Sequence, residues 1–168
     1  MFQIDEYVVH PTGGICLINK IAPLDMPGAD KNRNYYFMVP LKDSTGRVFV
    51  PVDTGDAVIR KVMTNEEASC LIDDMPNIKE LIVENEKIRE TRYKETIKGL
   101  DCRELVRLIK SLYARKEKRL SEGKKNTATD EKYFKIAEEN LVSEIAFALH
   151  RDRKEIFDLI GQRVYAAF

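Results

Sequence analysis

The chain has 168 residues, 28 of them basic and 28 acidic, so it carries no net charge and no overall pull toward nucleic acid or a membrane surface. A hydrophobic share of 43% with 33% charged residues fits a globular protein rich in surface helix, and no apolar run approaches the roughly 18 residues needed to span a bilayer. Cys16, Cys70 and Cys102 are odd in number, widely spaced and differently set, which argues against a disulfide framework or a zinc site; no cofactor is expected, and a reducing cytoplasm is the natural home.

Met1-Phe2-Gln3-Ile4-Asp5-Glu6 has neither the basic nor the apolar stretch of a signal peptide. Tyr7-Val8-Val9 predicts a short strand, His10-Pro11-Thr12-Gly13-Gly14 a turn, and Ile15 to Ile21 a second strand. Ala22 to Asn32 reads as a loop; Tyr35 to Val39 is a third strand. Asp43-Ser44-Thr45-Gly46 is a hairpin connection into a fourth strand, Arg47 to Val52. Asp53 to Asp56 turns again, and Ala57 to Val62 is a fifth strand. Pro40 and Pro51 cannot donate to a ladder, so their strands are expected at an edge or a bulge. An open edge can dock a partner's strand, and it leaves strand exchange between two copies of the chain open.

The pattern turns helical near Thr64. Thr64-Asn65-Glu66-Glu67 is a capping box opening a short helix, which Pro76 keeps from continuing past Met75. A second helix is expected from about Glu84 to Lys98. Gly99 suits a left-handed C′ position, and Asp101 can cap a third helix. Thr129 or Asp130 starts a long helix with the stripe Phe134, Ala137, Leu141, Ile145 and Leu149. His150 to Asp152 interrupts it before a last helix from about Arg153. The expectation is an α+β chain of two domains: a Tudor- or SH3-like five-stranded β-barrel over residues 1–63, then an all-α helical domain over residues 64–168.

Charge is segregated within this frame. Between Lys87 and Arg119 twelve basic residues face five acidic ones, an excess set against the neutral whole. Leu105, Leu108, Ile109 and Leu112 make one buried stripe, with Arg103, Arg107, Lys110 and Lys118 expected on the opposite side. The pattern alone favours a solvated helix face; its rival is a phosphate-facing surface.

Catalytic signatures are missing. No glycine-rich phosphate loop, G-x-S-x-G, H-E-x-x-H or EF-hand pattern occurs, and His10 and His150 sit at a turn and a helix end. Asp73-Asp74 and Glu138-Glu139 are neighbours on helices and do not face each other. An enzyme is not expected.

Tyr7-Val8-Val9-His10-Pro11-Thr12-Gly13-Gly14-Ile15 resembles the opening of the bacterial CarD/CdnL family. So do Val50-Pro51-Val52-Asp53, Arg92-Tyr93-Lys94 and Leu141-Val142-Ser143-Glu144, in the same order. The resemblance implies a non-enzymatic transcription regulator, cytoplasmic and brought to the nucleoid through RNA polymerase. Its Tudor-like domain, shared with the transcription-repair coupling helicase, would bind the polymerase beta subunit, here through Arg47, Val48, Phe49, Val50 and Pro51. Its helical domain would contact promoter DNA at the upstream edge of the bubble and stabilise the open complex, notably at rRNA promoters. The DNA-facing residues would come from Arg89, Arg92, Lys94, Lys98, Lys110, Lys124 and Lys125. Many members carry a wedging tryptophan three residues before the Arg-Tyr-Lys triplet; this chain has Arg89 there and no tryptophan at all. The alternative is a polymerase-bound adaptor whose cationic face meets an acidic protein and not DNA.

Overall fold

The computed structural model describes residues 1–166, and in it the chain forms two compact units, Met1–Val62 and Met63–Phe168. The first unit is an antiparallel sheet of β1 (Tyr7–His10), β2 (Gly14–Pro23), β3 (Asn34–Pro40), β4 (Val48–Pro51) and β5 (Arg60–Lys61), in the order β4-β3-β2-β1-β5. Alternation sorts the faces. Val8, Cys16, Ile18, Tyr36, Met38 and Val50 point inward and form one core with Phe2 and Ile59. Tyr36 anchors it: its hydroxyl accepts the Phe2 amide at 3.0 Å, and the two rings meet edge-on with centroids 5.9 Å apart.

Two register features shape the sheet. Ile18 pairs with Met38 but Lys20 pairs with Phe37, so Asn19 is an extra residue in β2. Pro40 ends β3, a strand expected at an edge or a bulge; the sheet's register shift lies elsewhere, between Ile18 and Lys20, and β3 is an inner strand. Its proline is tolerated because β4 pairs only with Tyr35 to Met38, short of Pro40.

The fifth strand is shorter than its sequence pattern. Gly55–Val58 forms a single helical turn, α1, and only Arg60–Lys61 pairs with β1. Gly55 is packed beneath Tyr36, where a Cβ would lie 2.7 Å from the ring, and the Ile59 amide closes the turn onto the Gly55 carbonyl at 2.8 Å.

The second unit is helical: α2 (Asn65–Asp74), α3 (Arg89–Lys98), α4 (Cys102–Ser121), α5 (Ala128–Leu149) and α6 (Arg153–Tyr165). The Thr64 hydroxyl accepts from the Glu67 amide at 3.1 Å while Glu67 reaches back to the Thr64 amide at 2.7 Å. Met75–Asn77 is one 3-10 turn ending α2. The next helix begins later than Glu84: residues 79–85 are irregular, Asn85 caps a 3-10 turn over Glu86–Ile88, and α3 follows. At the α3–α4 corner Leu100, not Gly99, takes the left-handed conformation, with φ 57°, and Asp101 caps α4. Thr127, two residues ahead of the expected start, caps α5, and His150 ends it in the left-handed region.

Leu105, Leu108, Ile109 and Leu112 of α4 join Ala137, Leu141 and Ile145 of α5, with Ile156 and Ile160 of α6, in one core. Glu144 is buried within it. Its carboxylate accepts the Met63 amide at 3.0 Å and the Cys102 thiol at 3.1 Å, fixing the chain where it enters the unit.

Candidate functional site

Strand β4 pairs on one side only, with β3, and lies at the end of the sheet. Its residues divide by face. Val50 faces the core and is buried, and Val48 packs against the same core from the side. Phe49 faces outward and meets Phe37 across the strands, centroids 5.1 Å apart at 80°, with the Lys20 ammonium 5.5 Å from the Phe37 ring. Arg47 curls back onto its own hairpin, donating to the carbonyls of Ser44 at 3.0 Å and Gly46 at 2.7 Å. Pro51 closes the strand without an amide proton. The outcome is an edge strand with one aromatic presented outward and, among the described residues, no strand paired on its far side.

The cations nominated in the helical unit separate into three groups. Lys110 does not join the exposed side of α4. It is 3% exposed, and its ammonium donates to the carbonyls of Met75 at 2.6 Å, Ile78 at 2.7 Å and Pro76 at 3.3 Å. The lysine stem carries the charge to carbonyls of the turn that ends α2. Burial lowers its pKa.

Arg89 is also engaged internally. Its side chain is 16% exposed; it donates to Tyr93 Oη at 3.2 Å, to the Val83 carbonyl at 3.3 Å and to both oxygens of Glu86 at 2.9 and 3.2 Å. Arg115 of α4 grips the same Glu86 at 2.8 and 3.2 Å and turns its Nε to Asp130 at 2.7 Å. Asp130, 2% exposed, accepts from the Tyr93 hydroxyl at 3.1 Å. The hydrogen bond from Arg89, aided by Arg115 and opposed by burial, holds the Glu86 carboxyl below the usual range. Burial pushes the Tyr93 hydroxyl up to about 12. Tyr93 is thus a packing residue at the centre of a polar network, its ring 5.5 Å from that of Tyr133.

The remaining cations are at the surface. Arg92 pairs with Glu95 at 3.2 Å, Lys94 with Glu90 at 3.2 Å, and Lys124 with Glu122 at 3.1 Å. Lys98 and Lys125 are exposed and, among the described residues, have no acidic partner; the same holds for Lys87 and Lys116. Arg103 pairs with Asp74, and Arg107 with Glu104 at 2.8 Å. Sequence reasoning did not single out Arg115, Glu86 or Asp130. Arg115 lies three residues beyond Leu112 on the packed face of α4, which is the signal that a charged group there needs a buried partner.

Among the described residues, no group of three or more His, Cys, Asp or Glu could hold a metal ion, and no helix is long and apolar enough to cross a membrane. Residues 2–63 match the family model of the CarD-like/TRCF RID domain, so the similarity covers the amino-terminal unit and stops where the helical unit begins. No curated protein matches the chain.

Proposed function

We propose that the protein is a non-enzymatic transcription regulator that docks on the RNA polymerase beta subunit through the β4 edge and rests its helical unit on promoter DNA, modulating the stability of the open complex. The single observation that carries the docking half is the one-sided pairing of β4 within a CarD-like/TRCF RID domain. Added main-chain hydrogen bonds would give affinity, and Phe49 would give a side-chain anchor. Docking raises the effective concentration of the helical unit at nearby duplex, so a few sequence-blind phosphate contacts suffice, which suits action at many promoters, rRNA promoters among them. Arg92, Lys94, Lys98, Lys124 and Lys125 are exposed and would supply those contacts.

The test is a pull-down of the full chain with the beta subunit. Wild type should be retained and Phe49→Asp should be lost; no retention of wild type removes the docking half. Charge reversal at Arg92 and Lys94 should then shorten the open-complex lifetime.

One observation favours the adaptor alternative. Arg92, Lys94 and Arg89 each already have a carboxylate on α3 or the turn before it, which lowers the net charge of that face. Salt separates the two: duplex contacts weaken linearly in log affinity against log salt concentration, with a slope of about one per phosphate neutralised. An adaptor would leave the open-complex lifetime indifferent to the reversal.

A further inference from the structure

Two deeply set arginines of the helical unit converge on a carboxylate that is itself largely in solvent. Glu86 is 64% exposed, whereas the side chains of Arg89 and Arg115 are 16% and 23% exposed. Four N–H groups aim at its two oxygens: Arg89 Nε and one terminal nitrogen, at 3.2 and 2.9 Å, and both terminal nitrogens of Arg115, at 2.8 and 3.2 Å.

Both guanidinium groups are oriented from behind by contacts that do not involve Glu86. The Asp130 carboxylate holds Arg115 Nε at 2.7 Å. Tyr93 Oη and the Val83 carbonyl hold Arg89 at 3.2 and 3.3 Å. Asp130 takes the Tyr93 hydroxyl at 3.1 Å as well as Arg115 Nε, and it is buried, so this backing does not rearrange cheaply. Two rigid forks directed at one pair of oxygens is the geometry by which arginines take a phosphate. Glu86 belongs to one 3-10 turn that follows the irregular residues 79–85, so it is the most easily withdrawn partner in the set.

We propose that Arg89 and Arg115 form a phosphate-binding cradle whose resting occupant is the chain's own Glu86, and that a backbone phosphate of a nucleic acid displaces it. This rests on the nucleic-acid half of the proposed function. A carboxylate and a phosphodiester carry the same single charge, so the exchange is nearly balanced. The cradle therefore engages only where other cations already hold the duplex close. Arg89 then acts not as a wedge between bases but as half of a backbone clamp that is masked until used.

The experiment uses the full chain with Glu86→Ala, and Glu86→Gln as the variant that keeps side-chain volume should the first loosen the turn. Inorganic phosphate is titrated while the arginine Nε–H resonances are followed by NMR. Those of Arg89 and Arg115 should shift in the Glu86 variants at concentrations that leave wild type unchanged; no shift in either variant overturns the cradle. Duplex DNA is then titrated by fluorescence anisotropy. Loss of Glu86 should tighten binding about fivefold to tenfold, the worth of one or two further charge-assisted contacts. Glu155→Ala, which frees Arg151 and removes the same charge, should change it by less than about twofold. Equal gains in the two variants overturn the proposal. Failure of every form to bind duplex, with the phosphate shift present, overturns the nucleic-acid interface and displacement by DNA but supports the cradle as a site for free phosphate.

Discussion

Lys110 donates to the carbonyl oxygen of Met75 at 2.6 Å, so a lysine from the middle of α4 closes the end of α2. With Ile78 and Pro76 completing its set, all three ammonium protons have acceptors inside the unit. Lys110→Met should keep the packing of the stem but leave these carbonyls without their donor. The expected cost is about 1–3 kcal/mol, the desolvation penalty of unsatisfied buried groups, read as a lowered urea midpoint. Duplex affinity should be unchanged apart from that loss.

His10 Nδ1 accepts the amides of Gly13 at 3.1 Å and Thr12 at 3.3 Å, and so must be unprotonated in the folded turn. Burial lowers its pKa from the usual 6.5. Below pH 6.5 the unfolded chain takes up a proton that the folded chain resists, so its contribution is fully present above that pH and is lost as pH falls toward the folded value. Stability should decline with acidification through this window. His10→Asn, whose oxygen can accept the same amides without titrating, should flatten that part of the profile in denaturation series run at successive pH values.

Tyr93→Phe removes both the donor to Asp130 and the acceptor for Arg89 at a fully buried site. A loss of about 1–3 kcal/mol is expected. Arg115→Met should cost more, about 3–5 kcal/mol, because it leaves the Asp130 carboxylate buried without its cation. The order of the two melting temperatures checks the network; a milder effect for Arg115→Met would contradict it.

Gly55→Ala places a methyl 2.7 Å from Cε2 of Tyr36, a ring that is completely buried. Overpacking of this kind costs about 1–3 kcal/mol. The amino-terminal unit should lose stability, which tyrosine fluorescence and thermal melts can follow.

Lys98 and Lys125 carry exposed charges with no acidic partner among the described residues. Each change to Gln should weaken duplex binding uniformly across sequences and reduce the salt slope by about 1. Neither should alter folding stability by more than about 0.5 kcal/mol.

Local signals in the sequence proved the most legible. The Thr64–Glu67 capping box, the Asp101 cap, and the Leu105–Leu112 stripe are written in residues within one or two turns of each other. Strands β1 to β4 followed from alternation and turn residues in the same way. What escaped were partnerships across long stretches of chain. Helical periodicity puts Lys110 on a side of α4 but does not say that its ammonium meets the carbonyl of Met75 there. It counts Arg89 and Arg115 as charge without showing that Glu86 and Asp130 engage them. The fifth strand was overlong because Ala57, Val58 and Ile59 have strand-compatible side chains, while Gly55 and its fit under Tyr36 close the chain into a turn. At the α3–α4 corner, the glycine signal was one residue early.

The extra residue at Asn19 has a consequence for how this domain can vary. Ahead of it the even-numbered positions Cys16 and Ile18 face the oily interior; after it Ile21 does, and Lys20 is free to lie over Phe37 outside. Loss of Asn19 alone would restore plain alternation with Ile18 and Ile21 still inward, whereas one residue more or fewer beyond that would swap the two sides for the rest of the strand, thrusting an ammonium group inward and a hydrocarbon outward. Exchanges of residue type along β2 are therefore forgiving, but its count of residues behaves like a reading frame.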